Sequence, residues 1–183
     1  MTSSRRRRIG VALFHGVDPA ILKYLSNHLP SVFEHFSFIP VDEEIPVQTI
    51  SPRRSGQFLA HDFLVPLRDV LLRERLDIAV GLTDLDLFVS GLNFVFGLAH
   101  PGLRTAVVSL ARLDESFYGR PPNVALLERR VLTEVVHEVG HILGLGHCRN
   151  PRCVMFFSNS LRDTDLKGPL FCDVCHAHLE QGQ

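Results

Sequence analysis

Three histidines and one glutamate lie close together in residues 137–147: His137, Glu138, His141 and His147. Residues four apart lie on one face of a helix, so His137 and His141 can present their imidazoles to a single ion. Glu138 follows at about 100° round the same helix. From there its carboxylate can reach a metal-bound water without being a ligand itself. The spacing predicts a metal centre with Glu138 as the catalytic base.

The residues after the helix predict a third ligand. Gly144 allows the chain to leave the helix through a left-handed conformation, and His147 then returns as a third nitrogen ligand. Three neutral histidines leave one position of a tetrahedral zinc open for water, as a catalytic rather than a structural site requires. The alternative is a set of buried histidines that are satisfied by hydrogen bonds.

All four cysteines of the chain fall between residues 148 and 175. Cys172 and Cys175 form a Cys-x-x-Cys knuckle that holds two sulfurs at tetrahedral angles, and Cys148 and Cys153 supply two more at a looser spacing. Four thiolates would satisfy a structural zinc and hold the tail of the chain against the end of the helix. Two disulfides or a free redox pair are the alternatives. The neighbouring histidines are expected at the surface rather than as ligands: His176 and His178.

The full string of motifs resembles one known family. His-Glu-x-x-His-x-x-Gly-x-x-His-Cys from His137, followed by Cys153, Met155 and the knuckle ending at Cys175, is similar to the archaemetzincins. These are metzincin metalloproteases with a catalytic zinc and a nearby four-cysteine zinc. The resemblance implies zinc-dependent hydrolysis of peptide bonds, two Zn²⁺ per chain, and a peptide or protein substrate.

The resemblance also assigns a position to Met155. Metzincins place one methionine in a tight turn, the Met-turn, beneath the three histidines, and Met155 is the only methionine after Met1. Some metzincins have a tyrosine just after this turn that touches the zinc. Here Phe156 and Phe157 follow, so we expect no such tyrosine switch near the site.

A long helix must position these groups. Pro121-Pro122-Asn123 predicts its start, and an apolar stripe continues it over about residues 122–144, largely buried. Arg130 and Glu134 lie about two turns and one turn before His137, on roughly the same face. Either they orient a ligand or line the cleft, or they are solvated or packed.

The preceding part of the chain alternates strands and helices. We expect strands over 9–14, 36–41, 76–82, 93–99 and 105–113, helices over 18–28 and 58–75, and a loop over 45–57. Pro66 either kinks the second helix or marks its true start. The short link 99–104 suits a hairpin, so at least one late strand is antiparallel. By the resemblance, strand 93–99 bounds the cleft, and an extended substrate adds to it as a further strand.

These elements predict an α/β (α+β, metzincin-like) fold. A mixed, mostly parallel twisted sheet with an antiparallel edge strand packs on helices, and a small zinc-stapled C-terminal subdomain follows. We expect one catalytic domain over 1–183, with an upper subdomain over 1–146 and a lower one over 147–183. The lower part shows no strong periodicity and is too short to build a core without a staple.

Composition excludes several classes of protein. The formal net charge of -1 is too balanced for a chain that binds nucleic acid or an anionic membrane through bulk electrostatics. No apolar stretch is long enough to cross a membrane. The basic run before residue 9 lacks the apolar length of a secretory signal, so we expect a solvated tail and a reducing, cytoplasmic compartment.

Two other functions are alternatives to peptide hydrolysis. A zinc-containing protein that binds peptides or a partner with little or no turnover would have no need of the base Glu138. A nucleic-acid-binding zinc module would draw on the cysteine cluster and the basic residues 5–8. The balanced charge and the lack of basic residues interleaved with aromatic ones weaken that third function.

Overall fold

The computed structural model describes residues 6–181, so the predicted tail over residues 1–5 lies outside it. The strands are β1 (Arg7–Leu13), β2 (Phe36–Pro40), β3 (Gln57–Leu59), β4 (Ile78–Thr83), β5 (Asp86–Phe88), β6 (Gly97–His100) and β7 (Thr105–Ser109). The helices are α1 (Ala20–Val32), α2 (Leu64–Arg73), α3 (Val124–Ile142), α4 (Leu161–Lys167) and α5 (Asp173–Gln181).

Five strands form the main sheet in the order β2-β1-β4-β7-β6. The first four are parallel, and β6 runs antiparallel to β7, with Gly97 opposite Val108 and His100 opposite Thr105. The hairpin closes through a bond from the Arg104 amide to the Pro101 carbonyl. The predicted mixed sheet with an antiparallel edge strand is confirmed.

Helices cover both faces of this sheet. Side chains alternate along a strand, so Val11 faces the core that α1 and α3 form, whereas Ala12 faces the core that α2 forms. The central strands β4 and β7 are buried along their whole length, as strands covered on both faces require. The sheet therefore holds α3, the helix of the predicted site, on a rigid support.

Several predicted boundaries are wrong. The segment 58–75 is not one helix: residues 57–59 form β3, which pairs with β5, residues 60–63 form a 3-10 turn, and α2 begins at Leu64. Pro66 lies in the first turn of α2, where a helix needs no amide donor, so it marks the start rather than a kink. The strand predicted over 93–99 begins at Gly97, and the one over 105–113 ends at Ser109.

The C-terminal tail contains two short helices, α4 and α5, that its weak periodicity did not predict. Cys153, Met155, Cys175 and Leu179 are buried in the same core as α3. The tail is therefore packed against the helix that carries the histidines. Within the described range 6–181, no helix is both long and apolar enough to cross a membrane.

Candidate metal centre and cleft

The three histidines come together at the C-terminal end of α3. Asn123 caps the start of this helix by accepting a hydrogen bond from the Leu126 amide. At its far end Gly144 has a φ of 96°, which only glycine adopts without strain, and the chain turns back. The ring centroids of His137, His141 and His147 then lie 4.6–5.5 Å apart, with one nitrogen of each within 4.8 Å of the others.

Two backbone carbonyls orient two of these rings. Nδ1 of His137 donates to the Val154 carbonyl at 2.7 Å, and Nδ1 of His141 donates to the Leu145 carbonyl at 2.8 Å. A carbonyl oxygen can only accept, so each Nδ1 carries the proton and each Nε2 keeps a lone pair. The two Nε2 atoms face one another at 3.1 Å. Two neutral acceptors at that distance are held together favourably only by a shared cation or proton.

The pKa of each of the three rings is lowered, which favours the neutral form. Burial lowers the pKa of His137 to about 2, with Lys167 as the next cause, and it is also the main cause that lowers the pKa of His141 and of His147. Neutral imidazole is the form that binds a metal, so at neutral pH no proton has to leave these rings first.

These shifts predict acid sensitivity. With its catalytic metal removed by a mild chelator, the protein should lose stability as pH falls below about 6.5, because the unfolded chain then binds protons that folded His137 refuses until about pH 2. The loss should approach about 1.4 kcal/mol per pH unit for this one group. Urea unfolding of the Glu138→Gln protein at pH 7 and pH 5 measures the loss, because in the wild type the raised pKa of the Glu138 carboxyl stabilises the folded chain as pH falls. Equal stabilities of this variant at the two pH values would contradict the prediction.

Glu138 lies beside the histidines, under the edge strand. Its side chain is buried, and this burial, with the nearby Glu134, raises the pKa of its carboxyl well above the ordinary value. A cation bound at the histidines would lower the pKa of this carboxyl. Gly97 of β6 leaves room for the Glu138 side chain, because a Cβ at residue 97 would lie 2.6 Å from Oε1 of Glu138.

A cavity of about 550 Å³ opens between β6 and the end of α3. The three histidines and Glu138 form its floor, and residues 94–99 line its opposite side. The structure thus brings the predicted edge strand and the predicted base to one cleft. The free side of β6 offers unpaired backbone groups there, because β6 is the last strand of the sheet.

Met155 is fully buried beneath the cleft. A Cβ on Gly140 would come within 2.5 Å of its sulfur, so the glycine lets the methionine pack directly against α3 between two of the histidines. The Met155 carbonyl accepts a bond from the Cys148 amide at 2.8 Å, which closes the turn. Phe157 follows, and its ring lies 4.9 Å from the ring of His147.

The four cysteine sulfurs lie within 4.8 Å of one another, and none of them forms a disulfide. Cys172 immediately precedes α5, and a hydrogen bond from the Cys175 backbone is the main cause that lowers its pKa to about 7. Burial raises the pKa of Cys153 and of Cys175. Such crowding favours thiolates only when a cation binds them. His176 and His178 are both exposed.

The sequence did not reveal the buried lysine behind the histidines. Lys167 of α4 has no exposed side-chain surface and forms an ion pair with Glu134 at 3.1 Å. Its Nζ lies 3.4 Å from Nδ1 of His137, a close approach rather than a hydrogen bond, because that nitrogen already donates to Val154. Glu134 also accepts from Thr164 at 2.9 Å. Glu134 is therefore packed at the cleft, and not solvated.

Arg130 is likewise packed. Its side chain is 3% exposed, and its guanidinium forms ion pairs with Asp165 and Glu115, each at 2.7 Å, so a solvated role is wrong for this residue as well. The acids that pair with Arg130 come from a loop before α3 and from α4. Nothing in the helical spacing of α3 indicates partners so far away in the sequence.

The fold and the site together define a class of protein. A helix with two histidines and a glutamate beneath an antiparallel edge strand, a third histidine after a glycine turn, and a buried methionine below are typical of metzincin metallopeptidases. Comparison with known proteins agrees: the profile of peptidase family M54 matches residues 54–181.

Relatives and solved structures extend the match over nearly the whole chain. The archaemetzincin of Pyrococcus furiosus is 43% identical over 170 residues, which cover 90% of this chain and 88% of the relative. The crystal structure of archaemetzincin from Methanopyrus kandleri has a TM-score of 0.82 and 36% identity, covering 97% of this chain and 95% of that one. A zinc-dependent peptidase from Methanocorpusculum labreanum has a TM-score of 0.84 and 30% identity, covering 93% and 99%.

The chain therefore belongs to peptidase family M54, among the archaemetzincins. The predicted family and fold are confirmed. The predictions of a zinc metalloprotease, of zinc as its metal and of a peptide or protein substrate are confirmed at the level of the family. The individual site residues and the number of zinc ions stay predictions.

Proposed function

We propose that this protein hydrolyses peptide bonds at a zinc ion held by His137, His141 and His147, with Glu138 as the general base. The facing Nε2 atoms of His137 and His141 carry the proposal, since two lone pairs 3.1 Å apart form a partial coordination shell. The third ring comes from outside the helix and leaves the cleft side open. Three imidazoles with one open position suit a catalytic zinc.

Glu138 performs the proton transfers in this proposal. When bound, zinc supplies Lewis acidity that activates water and polarises the scissile carbonyl. Glu138 accepts the proton of the attacking water and donates it to the departing amine. Its buried position strengthens both transfers, because a buried carboxylate interacts more strongly with neighbouring charge than an exposed one. The free side of β6 would bind the substrate as an added strand.

The four cysteines would hold a second, structural zinc. Their sulfurs come from the turn after His147 and from the start of α5, so one ion would tie both ends of the tail together. This supports two Zn²⁺ per chain and a lower subdomain over 147–183, below the upper subdomain over 1–146. A four-thiolate site needs reduced cysteines, which supports a cytoplasmic location.

Metal analysis of two variants tests both sites together. Wild-type protein should contain two zinc ions and cleave members of a mixed peptide library. His141→Ala should contain one and cleave none, because the cleft site loses a ligand. Cys172→Ser should also contain one zinc ion, in this case the ion at the histidines, and should unfold at lower temperature. Atomic emission and mass-spectrometric peptide profiling provide the two measurements.

The outcomes separate the candidate functions. Wild-type protein that holds zinc and cleaves no peptide would support the peptide- or partner-binding alternative instead. A zinc content unaffected by His141→Ala would contradict the assignment of the histidines. A zinc content unaffected by Cys172→Ser would contradict only the structural site.

Gly97→Ala tests the space above the base. The added Cβ would overlap Cγ of Glu138 as well as its carboxylate, at 2.6–2.9 Å, so the whole buried side chain has to shift. We expect a loss of about 1–3 kcal/mol in stability, an unchanged zinc content and a fall in kcat of roughly 10- to 100-fold, because small displacements of a reacting group are costly. Measurements of kcat, zinc content and melting temperature on the wild type and on Gly97→Ala test this prediction. An unchanged kcat would show that the carboxylate does not work from this position.

A further inference from the structure

A second cavity, of about 440 Å³, adjoins the cleft. Phe94 lines both cavities. Along α3, Glu134 lines the cleft, and Arg130, one turn earlier, lines the second cavity. After the Met-turn, Ser158 lines the cleft and Asn159 lines the second cavity. The two cavities are therefore consecutive along the same helix and the same loop.

Four arginines line the second cavity beside one carboxylate, that of Asp165: Arg112, Arg120, Arg130 and Arg162. Two of them form ion pairs inside the wall. Arg112 donates from two nitrogens to Asp86 at 2.6 and 2.8 Å. Arg130 donates to Asp165, Glu115 and the Leu113 carbonyl. These two guanidinium groups are parts of the wall.

The other two arginines keep free donors. Arg120 donates one nitrogen to Glu115 at 3.0 Å, and its side chain is 61% exposed. Arg162 is exposed and forms no hydrogen bond or ion pair within residues 6–181. The nearest carboxylate in sequence, Asp163, is occupied with the Asn159 amide and the Ser160 hydroxyl at the start of α4. The cavity thus offers several guanidinium donors that no protein group uses.

A further unpaired group lies between the cavities. The hydroxyl oxygen of Ser158 is buried and has no hydrogen-bond partner among the described residues. A buried hydroxyl without a partner costs free energy, so a polar group of a bound peptide would be stabilised at this point. The Ser158 hydroxyl is therefore an unused polar group on the wall of the cleft, one residue before Asn159 of the second cavity.

We propose that the second cavity is a subsite for a carboxylate of the peptide, which Arg120 and Arg162 bind a few residues from the scissile bond. Arg130 precedes His137 by about 10 Å along the helix axis. Roughly three residues of extended chain span that distance. Guanidinium groups bind carboxylates with charge-assisted hydrogen bonds, so an acidic side chain or a C-terminal carboxylate fits the site. This inference rests on the proposed function for the presence of a peptide in the cleft.

Paired peptides test the proposal. Starting from a cleaved neutral peptide, Glu and Gln are compared at each of three positions on either side of the scissile bond, with free and amidated C-termini. Either Glu at one of these positions or the free C-terminal carboxylate should raise kcat/KM roughly three- to tenfold over the neutral counterpart. The gain should shrink at high ionic strength. The comparison of Glu with Gln detects binding of an acidic side chain, and the comparison of free with amidated peptides detects binding of the C-terminal carboxylate.

Two double variants locate the effect. In Arg120→Gln/Arg162→Gln the ratio between acidic and neutral peptides should fall to about one. In the control, Arg53→Gln/Arg73→Gln, the same charge is removed from exposed sites away from the cavity, and the ratio should persist. A ratio of one in the wild type at every position, or a ratio that survives in the first variant, overturns the proposal.

Binding keeps this test separate from the proposed function. Labelled forms of the same peptides are titrated by fluorescence anisotropy into the Glu138→Gln protein. If the acidic peptide binds more tightly, and Arg120→Gln/Arg162→Gln abolishes the difference, the carboxylate subsite stands even where the wild type cleaves nothing. Equal binding of acidic and neutral peptides overturns the subsite while leaving hydrolysis intact.

Discussion

Glu138→Gln should lower kcat by about 100- to 10,000-fold while leaving the zinc content of the protein unchanged. An amide has nearly the shape of a carboxylate, so packing under Gly97 is kept, but it cannot accept a proton. General base catalysis by a positioned side chain contributes an effect of this size. The only other carboxylate among the described residues that line the cleft, Glu134, is held by Lys167 and Thr164 and cannot replace it.

The measurement pairs steady-state kinetics on one peptide with metal analysis and unfolding. Glu128→Gln is a matched control, since it makes the same chemical change on α3 but away from the cleft. We expect its kcat to stay within about twofold of the wild type. Turnover by Glu138→Gln equal to that of the control would remove Glu138 from the mechanism. Loss of zinc from Glu138→Gln would show that this carboxylate acts on the metal and not on a proton.

The sequence predicted the groups that face the metal better than the groups behind them. His137 and His141 follow the helical repeat, and Gly144 and His147 follow from the need to turn the chain. The carbonyls of Val154 and Leu145 orient the rings, but every residue has a carbonyl, so no residue type indicates these two. The second layer of the site depends on tertiary structure alone.

The errors in the predicted secondary structure also arise where tertiary contacts, and not a sequence pattern, fix an element. Helices α4 and α5 are short, and α5 is buried through one cysteine and one leucine, so neither leaves a long apolar stripe in the sequence. Strand β3 is only three residues long and leads into α2 through the 3-10 turn over residues 60–63, so its apolar residues extend the helical pattern backward. In contrast, β1 and β4 bury continuous apolar runs and α3 buries a long helical stripe, and all three are predicted to within a few residues.

Lys167→Met should lower the free energy of unfolding by about 3–5 kcal/mol. The substitution leaves Glu134, which is 3% exposed, as a buried carboxylate without its ion-pair partner, and one hydroxyl bond from Thr164 cannot replace it. Urea unfolding of zinc-loaded protein measures the loss. The only other lysine, Lys23, is exposed on α1, and Lys23→Met should change stability by less than about 0.5 kcal/mol. Equal effects of the two substitutions would contradict the prediction.

The double variant Glu134→Gln/Lys167→Met separates the charge from the packing. If the cost comes from an unpaired buried carboxylate, the double variant should recover most of it, because neither charge remains. If the lysine acts by filling space, the losses should add. The distinction bears on catalysis, since this pair joins α4 to α3 one turn before His137 and lies directly behind its ring. A recovered fold with intact zinc but altered kcat would show that the pair positions the first histidine as well as stabilising the C-terminal tail.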